Sequence, residues 1–151
     1  MKTVVQRVSN ASLRVDGQLI SSISKGLVCY LGVGKGDTED TVKRMARKVA
    51  GLRIFSDNEG KMNLSAKDCS YEIMAVSQFT LYGDVKKGFR PSFIGAEEPE
   101  QAKLLYECFC KELESLGIQK VARGIFGADM HIEQNNSGPV TIIIEMPAAD
   151  N

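Results

Sequence analysis

Asn136-Ser137-Gly138-Pro139-Val140-Thr141, running into Ile142-Ile143-Ile144, is the stretch on which the reading of this chain turns. The β-branched run that ends it is the strongest strand signal in the sequence, and it is short enough to be a buried strand. Gly138-Pro139 stands where that strand is expected to begin. Glycine reaches backbone angles closed to other residues and allows close approach to the main chain. Proline removes an N–H donor and is the residue with an appreciable cis fraction. At the mouth of a rigid strand the pair can present a bare carbonyl at a fixed angle. The same residues also fit an ordinary turn before an edge strand.

Working outward, 151 residues make one domain with room for a real core. A hydrophobic fraction of 43% and a charged fraction of 25% place it among globular proteins. No apolar run approaches the roughly 20 residues of a membrane helix, and Met1-Lys2-Thr3-Val4-Val5 reads as a strand rather than a signal peptide. Cys29, Cys69, Cys108 and Cys110 form no C-x-x-C pair, so free thiols in a reducing cytosol are expected. Formal net charge is zero, so any RNA contact has to be made through local patches.

Strands are expected at 3–8, at 11–15 and 19–23 around an Asp16-Gly17 hairpin turn, and at 27–31. A helix follows, capped by Asp37 or Thr38, with Val42, Met45, Ala46, Val49 and Leu52 on its apolar face. Asp57-Asn58-Glu59-Gly60 turns between two short strand-like pieces, and 72–77 is a further strand. From 83 to 95 the chain reads as a long loop in which Lys86, Lys87, Gly88, Phe89 and Arg90 interleave. That composition suits phosphates and base faces, and equally a surface loop pinned by two buried phenylalanines. A second helix opens near Pro99, buries Ala102, Leu105, Tyr106, Phe109, Leu113 and Leu116, and stops at Gly117. Three last strands are expected at 121–126, 128–134 and 140–146. Two helices among about seven or eight strands imply a single α/β domain with a mixed sheet.

Familiar catalytic patterns are missing. The one histidine, His131, falls inside an expected strand, and no P-loop, G-x-S-x-G or H-E-x-x-H pattern occurs. No metal cluster is evident and no cofactor is expected. Ser77-Gln78-Phe79-Thr80 does place hydroxyls, an amide and an aromatic at a strand end, where backbone N–H groups can form an oxyanion hole. These groups supply no general base near neutral pH. The substrate must then be an activated ester, or must bring its own assisting group.

Ser77-Gln78-Phe79-Thr80-Leu81 and Asn136-Ser137-Gly138-Pro139-Val140-Thr141 together closely resemble the paired signatures of the D-aminoacyl-tRNA deacylases. The resemblance runs from residue 1 to 147, leaving 148–151 as a short tail. It takes in Val5-Gln6-Arg7-Val8, Lys87-Gly88-Phe89-Arg90-Pro91 and Phe126-Gly127-Ala128-Asp129-Met130. Ser137 departs from the Asp that many members carry, while Gly138 and Pro139 are kept.

The resemblance implies a cytoplasmic homodimer of three-layer α/β/β fold. Its activity is hydrolysis of the ester joining a D-amino acid to the 3′-terminal adenosine of tRNA. It assigns Ser77, Gln78, Phe79 and Thr80 to the reacting ester. Gly138-Pro139 becomes a cis dipeptide that one subunit inserts into the other's pocket, held by Arg7. Phe126 and Met130 lie near the adenine, and Phe89 is also placed on the substrate side. Two routes stay open, with Thr80 as nucleophile or the tRNA 2′-hydroxyl assisting water; the absent base favours the second. A fixed carbonyl that collides with an L side chain excludes L-aminoacyl-tRNA without reading D side chains, so glycyl-tRNA is expected to be cleaved too. The rival readings are an RNA-end binding module without turnover and a small-molecule hydrolase with no RNA partner.

Overall fold

A computed structural model describes residues 1–148; of the expected tail, all but Ala148 lies outside the described residues. The elements run β1 (Lys2–Val15), β2 (Gln18–Ile23), β3 (Gly26–Gly32), α1 (Glu39–Ala50), β4 (Phe55–Ser56), β5 (Met62–Leu64) and β6 (Glu72–Ser77). A short 3-10 helix (Phe79–Tyr82) follows, then α2 (Pro99–Ser115), β7 (Val121–Arg123) and β8 (His131–Glu145). The expected α/β domain with a mixed sheet is what forms. Among the described residues there are eight strands and two α-helices.

β1 is the spine. Its first half pairs antiparallel with β3, its second half with β2, and its other edge with β8 along almost its full length. β3 then pairs parallel with β6, and β6 with β7. The Asp16-Gly17 hairpin forms as expected, with positive φ of 49° and 77° at its two central residues and Val15 opposite Gln18. β2 returns over the sheet, so that Ser21 Oγ donates to Arg123 O at 2.8 Å. The sheet therefore folds back on itself as two β layers. Val8, Ala11, Leu13 and Ile23 are buried between them against Val28, Met74, Val76 and Ala122.

The opposite face of the sheet carries the helices. Val5, Leu27, Cys29, Leu31, Ile73 and Ala75 pack there against Val42, Met45 and Val49 of α1 and Leu105, Phe109 and Leu113 of α2. Each fully buried Leu, Val or Phe is worth roughly 1.5–3 kcal/mol. Thr38, one of the two expected caps, starts α1 with a capping box to Thr41. Asp37 is used elsewhere. It is buried, accepting from the Met1 ammonium at 2.7 Å and from Gly34 N at 2.7 Å, and so ties the start of β1 to the turn before α1. All four cysteines are free thiols.

Two expected boundaries are corrected. The strands at 3–8 and 11–15 are one 14-residue strand. The strands at 128–134 and 140–146 are likewise one strand, which starts at His131 and runs through Gly138-Pro139 without a break. The interruption is taken up by a bulge: between the pairs Gln6–Thr141 and Val8–Asn136, Arg7 alone stands opposite the four residues 137–140. Gly138-Pro139 thus bows out of a continuous strand rather than opening one.

Candidate active site

Where β6 ends beside β3, the chain leaves the sheet at Ser77 and turns into the 3-10 helix. Gln78 N is still held by Leu31 O at 2.7 Å, the last bond of the parallel ladder. Beyond it, the backbone N–H groups of Phe79 and Thr80 have no hydrogen-bond partner among the described residues. The first donors of a helical turn are left free in this way. Gln78 Nε2 donates to Thr80 Oγ1, so the threonine oxygen accepts from an amide and faces no base that could take its own proton.

These residues form one wall of a cleft of about 310 Å³. Ser77, Gln78 and Phe79 line this side, and 126–130 with Ile132 line the other. Leu31, Val33 and Val76 of the sheet, with Ala102 and Tyr106 of α2, complete it. Phe79 is half exposed and leans edge-on against Phe93, with ring centroids 5.1 Å apart. Phe126 is backed by Tyr106 at 6.2 Å. Met130 lies over Gly124, where an added Cβ would fall 2.4 Å from its sulfur. The turn at 125–128 is closed by Ala128 N donating to Ile125 O at 3.1 Å.

The cleft offers little acid–base chemistry. Tyr106 is buried and its hydroxyl donates to Ala75 O at 2.8 Å; burial pushes its ionisation far above the ordinary tyrosine range. Asp129 is the one carboxylate in the lining, and its side chain is 94% exposed at the mouth, 3.5 Å from His131. His131 itself is outside the lining. Among the described residues no group of three or more His, Cys, Asp or Glu is gathered as metal ligands. What remains is an apolar slot with free backbone donors, amide and hydroxyl groups at one end. It can orient a carbonyl and stabilise negative charge on it, but it does not supply a buried base.

The residues singled out in the sequence thus fall into three places. Ser77, Gln78, Phe79, Phe126 and Met130 meet in the cleft, while Thr80, next along the chain, is exposed and outside the lining. Gly138, Pro139 and Arg7 do not line it. The Gly138-Pro139 bond is cis, and Gly138 has φ +131°. Arg7 braces this bulge, donating from Nε to Ser137 O at 3.0 Å and from Nη1 to Ile54 O at 2.6 Å. Phe89 sits in neither place: it is completely exposed on the loop at 83–95. Tyr106, Ala102 and Val33 went unnoticed as cleft residues. Tyr106 falls in the expected buried stripe, where its polar tip in an otherwise apolar row is the available signal.

Comparison with known proteins places nearly the whole chain in one family. A family model described as D-Tyr-tRNA(Tyr) deacylase matches residues 4–145. A D-aminoacyl-tRNA deacylase of Myxococcus xanthus is 55% identical over 147 residues, covering 97% of this chain and 95% of that protein. The D-aminoacyl-tRNA deacylase of Magnetococcus marinus is 50% identical, covering 97% of each. A solved structure named c-Myc DNA Unwinding Element Binding Protein superposes with a TM-score of 0.93 at 43% identity, covering 98% of this chain and 100% of that one. With a match across nearly the whole chain, and both signature stretches inside it, this chain belongs to the D-Tyr-tRNA(Tyr) deacylase family.

Proposed function

We propose that this chain hydrolyses the ester between a D-amino acid and the 3′-terminal adenosine of tRNA, using the cleft between the Ser77–Thr80 wall and residues 126–130. The observation that carries the reading is the chemistry of that cleft: free backbone donors beside an apolar slot that holds no buried base. An aminoacyl ester is already activated, and its neighbouring ribose 2′-hydroxyl can assist a water molecule. Water attacks the ester carbonyl, and the charge that develops on its oxygen is held by the N–H groups of Phe79 and Thr80. Collapse breaks the bond to the ribose 3′-oxygen, which takes up the proton lost by water. Free D-amino acid and tRNA leave. Gln78 occupies the Thr80 oxygen with a hydrogen bond, which supports water rather than the threonine as nucleophile. Phe126 and Met130 flank the adenine.

Selectivity comes from a second copy of the chain, whose Gly138-Pro139 bulge completes the cleft of the first. Its carbonyl stands where an L side chain would project, and D side chains and the hydrogen of glycine pass. The site of action is the cytoplasm, where aminoacyl-tRNA is made. Single-turnover hydrolysis of D-tyrosyl-, L-tyrosyl- and glycyl-tRNA by the purified protein tests the reading. Rapid cleavage of the D and glycyl esters with the L ester spared is expected. Glycyl-tRNA as inert as the L ester removes the exclusion mechanism, and binding without any turnover removes the enzyme.

A further inference from the structure

Immediately after the 3-10 helix the chain enters the loop at 83–95, which sets three cations beside bare apolar side chains. Its ends are fixed. Asp84 and Ser92 exchange backbone hydrogen bonds of 2.8 and 2.9 Å, and Lys35 N donates to Gly95 O at 3.1 Å. Phe93 anchors the base of the loop against Phe79 in the cleft wall. The tip turns at Gly88, with φ +83° and open space around it. From this anchored frame Lys86, Lys87 and Arg90 project into solvent, and none of the three makes an ion pair among the described residues. Unpaired cations also occur elsewhere, as at Lys43, Arg47 and Lys48 of α1, so what distinguishes the loop is the company these three keep. Within the loop the three cations face one acid, Asp84, whose Oδ1 is already engaged by Lys86 N. Phe89 stands among them with 104% relative exposure, and Val85 and Ile94 are exposed at 60% and 79%. In a chain of zero net charge this is a local excess of positive charge around a bare aromatic ring.

We infer that the loop at 83–95 is the surface on which the single-stranded 3′ end of tRNA runs before its terminal adenosine enters the cleft. The inference rests on the functional reading above and adds the contact that lies outside the cleft. Lys86, Lys87 and Arg90 neutralise successive phosphates, and Phe89 stacks on an unpaired base. Interleaved cations and an exposed ring suit a single strand, because every base offers a stacking face and no edge need be read. The loop is continuous with the catalytic wall through Phe79 and Phe93, so a strand lying on it is led to the ester. A second protein copy would cover the exposed apolar residues but gives no reason for three cations to cluster around them.

The test compares D-tyrosyl-tRNA with D-tyrosyl-adenosine, which has the ester and adenine but no phosphates, for wild type and the triple variant Lys86→Ala/Lys87→Ala/Arg90→Ala. The ratio of kcat/KM on the tRNA to that on the nucleoside ester is expected to fall by about tenfold or more. The slope of log kcat/KM against log salt on tRNA becomes shallower by about 2, as loss of three single-strand phosphate contacts requires. Phe89→Ala lowers the same ratio by about tenfold without changing the slope, and Phe89→Trp restores it. An unchanged KM and salt slope on tRNA overturns the inference. So does an equal loss on both substrates, or a change in sedimentation of the triple variant, which assigns the loop to a second copy. If wild type cleaves neither substrate, the functional reading itself has failed and takes this inference with it. If wild type cleaves D-tyrosyl-tRNA and the variants match it, only the loop assignment has failed.

Discussion

The cleft and the Gly138-Pro139 bulge are built in opposite ways. The cleft is assembled from five separate parts of one chain: the end of β6, the segment 126–130, the start of β8, one face of α2 and the end of β3. Most of its side chains also serve the core, so the helix layer holds it open. The bulge is a local distortion of two adjacent strands, in which one residue, Arg7, faces four on β8. It rests on a glycine conformation and on two carbonyls held by one guanidinium. The first region is a concave, mostly apolar slot; the second is an exposed bulge outside it. The two are separate within one chain, so a substitution in either can leave the other intact.

That contrast is broken most severely at Gly138. An added Cβ would lie 2.9 Å from Val140 N and 3.1 Å from an Arg7 guanidinium nitrogen, on a backbone with φ +131°. Gly138→Ala is expected to cut D-aminoacyl-tRNA hydrolysis by about 100-fold, the scale on which misplacing a positioning group by about 1 Å acts. Its thermal unfolding temperature should fall as well, because an Ala at this φ is strained by about 1–3 kcal/mol even though no core contact is lost. A variant with normal rate and selectivity would show that the bulge takes no part.

Arg7→Ala is the next largest. It leaves the carbonyls of Ser137 and Ile54 without their charged donor, worth about 1.5–3 kcal/mol by hydrogen bonding. Both stability and rate should fall, read by denaturant midpoint and single-turnover kinetics. Arg7→Lys should rescue poorly, since one ammonium cannot reproduce a planar fork directed at two acceptors.

Thr80→Ala sharpens the comparison from the cleft side. With water as nucleophile, kcat falls by less than about tenfold, the size of one lost orienting hydrogen bond. A fall of about 10⁴ or more, as for removal of a true nucleophile, would restore the threonine to that role.

Much of this architecture was legible in the sequence. The Asp16-Gly17 turn, the Thr38 cap, the Pro99 start of α2 and its stop before Gly117 are local signals, and each forms where the residues indicate. The continuity of β8 was not legible, because Gly138-Pro139 is a break by every local rule. Pairing with β1 on both sides of it, from the far end of the sequence, carries the strand through. The unions of 3–8 with 11–15 and of Asn136 with Thr141 are tertiary facts of this kind. In the cleft, Ser77–Thr80 and 126–130 stood out by composition, whereas Ala102 and Val33 have no chemistry to announce them. Tyr106 was hidden inside a regular apolar stripe.

The smallest expected effect concerns the helix layer, away from both regions. Burial pushes the Cys110 thiol up to about 11, and Cys29 is raised still further by the same cause. An unfolded thiol ionises near about 8.5. Between that pH and 11 the unfolded chain sheds protons that the native chain keeps, so stability is full below the lower value and declines as pH rises. Thermal melts from pH 7.5 to 10.5 should show this decline, and Cys110→Ala should reduce its steepness. An identical slope in the variant would locate the effect elsewhere.

The most direct measurement is complementation between two inactive proteins. Gly138→Ala keeps the cleft and spoils the bulge; Ala128→Trp blocks the cleft and keeps the bulge. Mixed in equal amounts and allowed to exchange subunits, they form hybrids that carry one intact site. Hydrolysis of D-tyrosyl-tRNA should return to about a quarter of the wild-type rate, since half the dimers are hybrids with one working site of two. Hybrid dimers that form and remain inactive would contradict a site shared between two chains.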